Sequence, residues 1–403
     1  MVASHRSYRT GVVRWLEPEF VSQVSDSVKI ALLRNAIEQR PNNAALYVRL
    51  GDLFEKSRLF SEGADAYETA AQQAPGEFVA EPKLAKCYVE IDRPEAALDA
   101  CRRGEARGPS AELHFQKGRA LLKLRRPAAA RDAFWSAVKL NGTHIRALRA
   151  LLAPMAREPD GAELLDFCDA LPQSSKDTAL VRAHRAIALS RLGRIAEALQ
   201  IVDLDRHVAR VPFVPPAQFG AIDQFNRQLA EDVLADRSIG KLANEGLDFN
   251  AAPLFRRSQA FLALREFIKA AIDDFLSEAS RRGLDTVMPP PPIEGSLYQS
   301  STVLRGEGHN GEHVHGNAYV SAVYHVLVPE SVSSADDNCG ALALGLCEGY
   351  TGGYTPCWGT RYIKPVAGSL VIFPSHIFHD VVPSRTQMPR IAVAADLQPI
   401  ATG

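Results

Sequence analysis

The sequence predicts an α+β, multidomain chain: an all-α helical solenoid at the N-terminus, then a β domain of sandwich or small-barrel type with flanking helices. Three observations predict it. A self-similarity of about 34 residues runs through residues 44–142. Prolines then break the helical periodicity close after residue 208. From Gly295 onward, short apolar runs punctuated by Gly and Pro replace the helical spacing.

Bulk composition narrows the class. The chain has 403 residues, long for one compact core. It is 46% hydrophobic and 23% charged, as a soluble globular protein is. A net charge of −1 gives no reason to expect a nucleic-acid partner or an anionic membrane surface. No apolar run approaches the roughly 18–20 residues of a membrane span. Met1 to Arg6 leads into no apolar stretch of a secretory signal. The six cysteines form no C-x-x-C pair and read as reduced thiols of a cytoplasmic protein.

The elements follow in order. Residues 1–26 form an N-terminal extension. An amphipathic helix is expected at about 27–39, with Val28, Ile30, Leu32, Leu33 and Ile37. The first repeat carries Leu46, Gly51, Phe54, Gly63, Tyr67, Ala70 and Pro75. The second carries Leu84, Ala85, Tyr88, Ala97, Cys101 and Pro109; the third Gly118, Leu121, Ala130, Phe134 and Ala137. Small residues stand where two helices cross closely, and larger apolar ones a turn away. These positions line up with the tetratricopeptide (TPR) pattern. The stretch 143–178 is degenerate, and a further unit returns with Ala186, Leu189, Gly193 and Ala198. Such helix pairs bury their apolar faces only against their neighbours, so they must stack. The repeat domain is placed at 27–208. Its expected role is to hold a peptide or protein partner in a groove, or to assemble the chain, for instance as a homodimer.

Val211-Pro212-Phe213-Val214-Pro215-Pro216 cannot continue a helix, because proline lacks the donor N–H and restricts its predecessor. The second domain is placed at 209–403. Helices are expected within 217–283, at about 217–235 and about 256–281, the latter with Phe261, Leu264, Ile268, Ile272 and Phe275 on one face. A β core is expected over 295–398, with strands at 297–304, 318–328, 341–346, 368–373 and 390–397.

Chemistry concentrates in that core. His313 and His315 flank Val314 between two strands, and alternate residues of an extended segment face one side. His379 follows 64 residues after His315, and Arg390 another 11 residues on. A non-haem iron oxygenase needs three protein ligands on one face of the metal, with the opposite positions open. Imidazole stays neutral enough near pH 7 to serve. A co-substrate with a far carboxylate also needs a cation, and arginine grips a carboxylate with two parallel hydrogen bonds.

The words around these residues resemble a known family. They are His313-Val314-His315, then Ser321-Ala322-Val323-Tyr324-His325-Val326-Leu327-Val328-Pro329, then Cys339-Gly340-Ala341-Leu342. Pro365 to Ser375, His379-Asp380-Val381-Val382-Pro383 and Arg390-Ile391-Ala392-Val393 complete the set. The segment 295–398 resembles the iron(II)- and 2-oxoglutarate-dependent dioxygenases of prolyl-hydroxylase-like type, in a branch with H-x-H where most members carry H-x-D. That resemblance implies a double-stranded β-helix, of jelly-roll or cupin-like form. It implies Fe(II), 2-oxoglutarate and O2, and a reaction that converts 2-oxoglutarate to succinate and CO2 while hydroxylating an unactivated C–H bond. By position it implies His313, His315 and His379 as metal ligands and Arg390 at the far carboxylate of 2-oxoglutarate. His325 and Ser321 are weaker contacts to the same co-substrate. Three positions depart from the family pattern: His315 for the carboxylate ligand, His325 for a frequent tyrosine, and Ala392 for a frequent serine.

His309 and His376 read as non-ligands. Tyr319, Tyr324, Tyr354 and Trp358 read as packing or pocket walls, and the Gly352-Gly353 loop as a mobile lid. The leading function is a hydroxylase acting on a peptide or protein side chain presented by the repeats. A three-histidine cupin-type dioxygenase that uses no 2-oxoglutarate is one alternative. A TPR and β-helix scaffold without catalysis is another.

Overall fold

The computed structural model describes residues 12–16, 25–74, 80–236, 240–241, 247–250 and 258–400. Pro75, most of the N-terminal extension and the first residues of the helix expected from 256 lie outside the described residues. The chain divides into two compact units. One is Glu19–Leu152 with Pro172–Ser175; the other is Met1–Pro18, Ala153–Leu171 and Lys176–Gly403.

The first unit is a stack of helices. A lead helix, α1 (Asp26–Gln39), precedes three pairs: α2 (Ala44–Lys56) with α3 (Phe60–Gln73), α4 (Glu81–Glu90) with α5 (Pro94–Glu105), and α6 (Ala111–Lys123) with α7 (Pro127–Leu140). Most of α8 (Ile145–Met155) follows. Proline opens α5 and α7, where its missing N–H costs nothing. The turn inside each pair uses one left-handed residue: Arg58 (φ 60°), Asp92 (58°) and Arg125 (57°). Their spacing repeats the period read from sequence.

Close helix crossings explain the small residues. A Cβ on Gly51 would stand 2.5 Å from the Tyr67 ring, and one on Gly118 would stand 2.4 Å from the Phe134 ring. In the middle repeat the same pair of places is filled by Ala85 and Cys101, both fully buried. A smaller partner there makes room for the methyl group.

The second unit begins with β1 (Arg14–Trp15) and resumes with α9 (Gly161–Ala170), α11 (Ala179–Arg191) and α12 (Ile195–Ile201), whereas the short α10 (Gln173–Lys176) falls mostly in the first. The turn from α11 to α12 again uses a left-handed residue, Gly193 at φ 69°. Eleven of the thirteen residues of α11 are buried. A two-faced helix of this kind belongs to the unit that covers it. The division by packing therefore lies ahead of residue 208, where the sequence changes from helical to extended.

The remaining elements are β2 (Ala209–Pro212), α13 (Ile222–Ala235), β3 (Gly240–Lys241), β4 (Leu247–Asn250), α14 (Gln259–Ser277), α15 (Ala279–Arg282), β5 (Glu294–Leu304), β6 (Val320–Leu327), α16 (Glu330–Ser333), β7 (Leu342–Leu344), β8 (Arg361–Ile363), β9 (Ser369–Pro374), β10 (His379–Val381) and β11 (Arg390–Pro399). The larger sheet runs β2-β9-β6-β11-β5-β4-β3, with β1 pairing to β5; the smaller runs β10-β7-β8. The curled two-sheet core is the double-stranded β-helix expected from the sequence. The segment read only as a proline-rich boundary contributes β2, paired antiparallel to β9. Proline is tolerated there because β2 is an edge strand.

Strand alternation decides what each face does. On the outer face, Ile391, Val393, Ala395 and Leu397 join Val320, Ala322 and Tyr324 in one apolar core. Phe261, Leu264, Ile268, Ile272 and Phe275 of α14 and Phe225, Leu229 and Val233 of α13 cover it. The Tyr324 hydroxyl donates to Asn226 Oδ1 at 2.7 Å, so this buried phenol is satisfied. The opposite face is left polar, with Ser300, Thr302, Ser321 and Arg390. No helix among the described residues is long and apolar enough to cross a membrane.

Candidate metal centre

Two strand ends bring the histidines together. His313 forms an isolated antiparallel bridge with His379, with backbone hydrogen bonds of 3.1 and 3.0 Å in the two directions. His315, two residues on, faces the same side. The ring centroids lie 5.0 Å apart for His313 and His315, 4.3 Å for His313 and His379, and 4.9 Å for His315 and His379. One nitrogen from each ring lies within 4.8 Å of the other two.

Hydrogen bonds set the tautomers. Nδ1 of His313 meets the Gly311 carbonyl oxygen at 2.7 Å, and Nδ1 of His379 meets that of Ile377 at 3.1 Å. Nδ1 of His315 meets both carboxylate oxygens of Asp396, at 2.7 and 2.6 Å. All three partners are acceptors, so each Nδ1 carries the proton and each Nε2 presents a lone pair. The Nε2 atoms of His313 and His315 then face each other at 3.1 Å without a proton between them. Lone pairs turned toward one another need a cation, and the donor set suits a divalent transition metal such as iron(II). Burial, then the neighbouring imidazoles, pushes the protonation of His379 well below the ordinary histidine range. His313 is lowered by burial and by His315. Neutral imidazole is the ligating form.

The anion site lies in the same cavity. This space, of about 430 Å³, is lined by His313, His315 and His379 together with Arg390, Ser300, Thr302, Asn310, Leu247, Leu342 and Val381 among others. Arg390 is 1% exposed, and its Nε and one terminal nitrogen have no hydrogen-bond partner. Burial lowers its pKa to about 10, so it stays charged at neutral pH. An unpaired buried guanidinium is expensive unless an anion completes it. A dicarboxylate that reaches from the histidines to Arg390 would do so.

The other site residues from the sequence fall as follows. Ser321 lines the cavity, with its hydroxyl 2.7 Å from Asp396 Oδ1 and 2.8 Å from Ser375 Oγ. Its proton goes to the carboxylate, the acceptor of the two. His325 stands opposite Ala392 on the same sheet face but outside the cavity lining. Both of its ring nitrogens lack partners, and burial, Arg390 and Arg210 hold it neutral. His309 contacts Asp380 at 3.2 Å and His376 reaches the Ile201 carbonyl at 2.8 Å, both apart from the triad.

The sequence reading missed Asp396. Its one signal is a carboxylate in an otherwise apolar strand, six residues after Arg390 and on the same face. The reading of the Gly352-Gly353 loop as a lid meets a firm anchorage. The Tyr350 and Tyr354 hydroxyls bond His184 and Ser190 of α11 at 3.0 and 2.8 Å, and Arg191 donates to the Thr351 carbonyl at 2.9 Å.

Comparison with known proteins follows the same line. Residues 301–396 match the family model described as putative 2OG-Fe(II) oxygenase. The C-terminal region carries a 2OG-Fe(II) oxygenase domain. The match spans Arg390 and the three clustered histidines, His313, His315 and His379. Among solved structures, a Pseudomonas putida prolyl-4-hydroxylase is 18% identical with a TM-score of 0.32, over 49% of this chain and 96% of that one. A Trichoplax adhaerens prolyl hydroxylase, in complex with a hypoxia inducible factor peptide fragment, is 15% identical with a TM-score of 0.33, over 52% and 90%. YrrB, a TPR protein with an unusual peptide-binding site, is 19% identical with a TM-score of 0.33, over 43% and 93%. No curated protein matches the chain.

Proposed function

We propose that this protein is an iron(II)- and 2-oxoglutarate-dependent hydroxylase of a peptide or protein side chain, with succinate and CO2 as co-products. The observation that carries the proposal is one cavity holding three convergent imidazole lone pairs and an unpaired buried guanidinium. His313, His315 and His379 would hold the iron, and Arg390 would hold the far carboxylate of 2-oxoglutarate. When bound, the metal and its co-substrate would supply, with O2, the oxidising power for an unactivated C–H bond. The protein's part is to position and to exclude water. Gly311, Ile377 and Asp396 keep each Nδ1 protonated, and Leu247, Leu342 and Val381 keep the cavity wall apolar.

Arg390 favours this reading over a three-histidine dioxygenase without 2-oxoglutarate, since a buried cation with no partner calls for an anionic co-substrate. Support for a peptide substrate comes from the repeats. Asp52, Glu55, Lys83, Lys86, Glu112 and Arg146 line a polar hollow of about 530 Å³ on three successive repeats and α8. Both signs of charge there suit an extended chain of amides and side chains. The test is succinate formation from iron-loaded protein, 2-oxoglutarate and candidate peptides, against a His379→Ala control. Turnover equal to the control with every peptide would refute the assignment.

A further inference from the structure

Asp396 sits where the loss of a ligand carboxylate can be compensated. By the sequence resemblance described above, His315 stands where most members of that family carry an aspartate. Two neutral imidazoles and one carboxylate around a divalent ion leave a net charge of +1; three neutral imidazoles leave +2. Asp396, 7% exposed, meets His315 Nδ1 through both oxygens, at 2.7 and 2.6 Å. Among the described residues no lysine or arginine pairs with this carboxylate, and its other contact is the Ser321 hydroxyl at 2.7 Å. Ser375 Oγ lies 2.8 Å behind Ser321. Asp396 and Ser321 are cross-strand partners of β11 and β6, so the sheet register itself fixes this chain of bonds.

We propose that Asp396 is a positioning residue of the metal centre, which holds His315 as its Nδ1–H tautomer and returns the missing negative charge one residue further from the metal. The inference rests on the metal-centre reading above. A carboxylate that accepts from the far nitrogen of a ligating imidazole makes the near nitrogen a stronger donor and fixes the ring plane. Aspartate serves here because its short side chain reaches Nδ1 from the adjacent strand without entering the cavity. Ser321 then holds the carboxylate.

The test is cobalt(II) titration of the metal-free chain, read by visible absorption, with four proteins: wild type, Asp396→Asn, His315→Asp and the double variant. Asn keeps an acceptor oxygen for Nδ1–H and removes the charge. Its cobalt Kd is expected to rise about 10–100-fold with a shifted band. In His315→Asp the new carboxylate reaches the place of Nδ1, beside Asp396, and the two repel. Adding Asp396→Asn there is expected to tighten cobalt binding rather than weaken it. This reversal of sign distinguishes charge from mere packing. The inference is overturned if Asp396→Asn binds as wild type does, or weakens binding equally in both backgrounds. Failure of the wild type itself to take cobalt would instead refute the metal-centre reading. Should the variants unfold, 15N spectra of the histidine rings in the metal-free wild type decide: Nδ1 protonation of His315 is expected, and Nε2 protonation overturns the inference.

Discussion

The Tyr350 hydroxyl lies 3.0 Å from Nε2 of His184, and this bond ties the loop after β7 to a helix 166 residues earlier in the chain. His184 is fully buried, and its Nδ1 is bonded to the Leu180 carbonyl at 2.7 Å. Together with the Ser190–Tyr354 bond, the contact makes α11 part of the unit that carries the histidines. A chain that begins at Ala153 is expected to give a cooperative thermal transition and to bind metal. One that begins at Ala209 strips the cover from this loop and is expected to aggregate or to melt without cooperativity. Circular dichroism melts of the two check this, and equal behaviour would contradict it.

Removing a ligand should separate folding from metal binding. His379→Ala and His313→Ala are each expected to raise the Kd for manganese more than about 100-fold, beyond the loss typical of an outer partner. Thermal melts of the metal-free variants should keep one cooperative transition, with Tm lowered by the cavity and the lost Nδ1 hydrogen bond that each truncation leaves.

Arg390 gives a prediction of opposite sign for stability and activity. Arg390→Met removes an unpaired buried charge, so the metal-free variant should be at least as stable as wild type. Its kcat/KM for 2-oxoglutarate should fall by about 2–5 kcal/mol of lost binding, roughly 30-fold to several thousand-fold. Addition of 2-oxoglutarate should raise the Tm of the wild type only.

Acid should destabilise the β unit through two structural histidines. Burial holds His376 down to about 3 and His207 down to about 4, against 6.5 for a free side chain. Above pH 6.5 both are neutral folded or unfolded, and their full contribution is present. Between 6.5 and about 4 the unfolded chain takes up protons that the folded chain refuses, so stability falls as pH falls. Metal-free wild type should lose Tm steadily across this window. His376→Gln should show a shallower slope, and an unchanged slope would contradict the assignment.

The repeat crossings are testable by one methyl group. Gly118→Ala drives a Cβ against the Phe134 ring and should cost about 1–3 kcal/mol in denaturant unfolding. Gly118→Ala combined with Phe134→Cys copies the middle repeat and should recover part of that loss.

Local pattern alone determined much here. The repeat period, the small residues at crossings and the main strands β5, β6, β9 and β11 were legible because each depends on neighbours a few residues away. The histidines and Arg390 stood out by their spacing and by the words around them, and the structure brings all four to one cavity. What the sequence left open depends on partners distant in the chain. Pro212 reads in the sequence only as part of a domain boundary, but it closes the edge strand β2, which pairs on one side alone, with β9 some 160 residues later. The further repeat unit before residue 208 joins the β unit because α11 finds its second buried face there. Asp396 looked like one polar residue in an apolar strand, and only the register of β11 against β6, with the bridge between His313 and His379, turns it toward His315. Spacing names the side chains a site needs, but which atom meets which is a property of strands pairing across the fold.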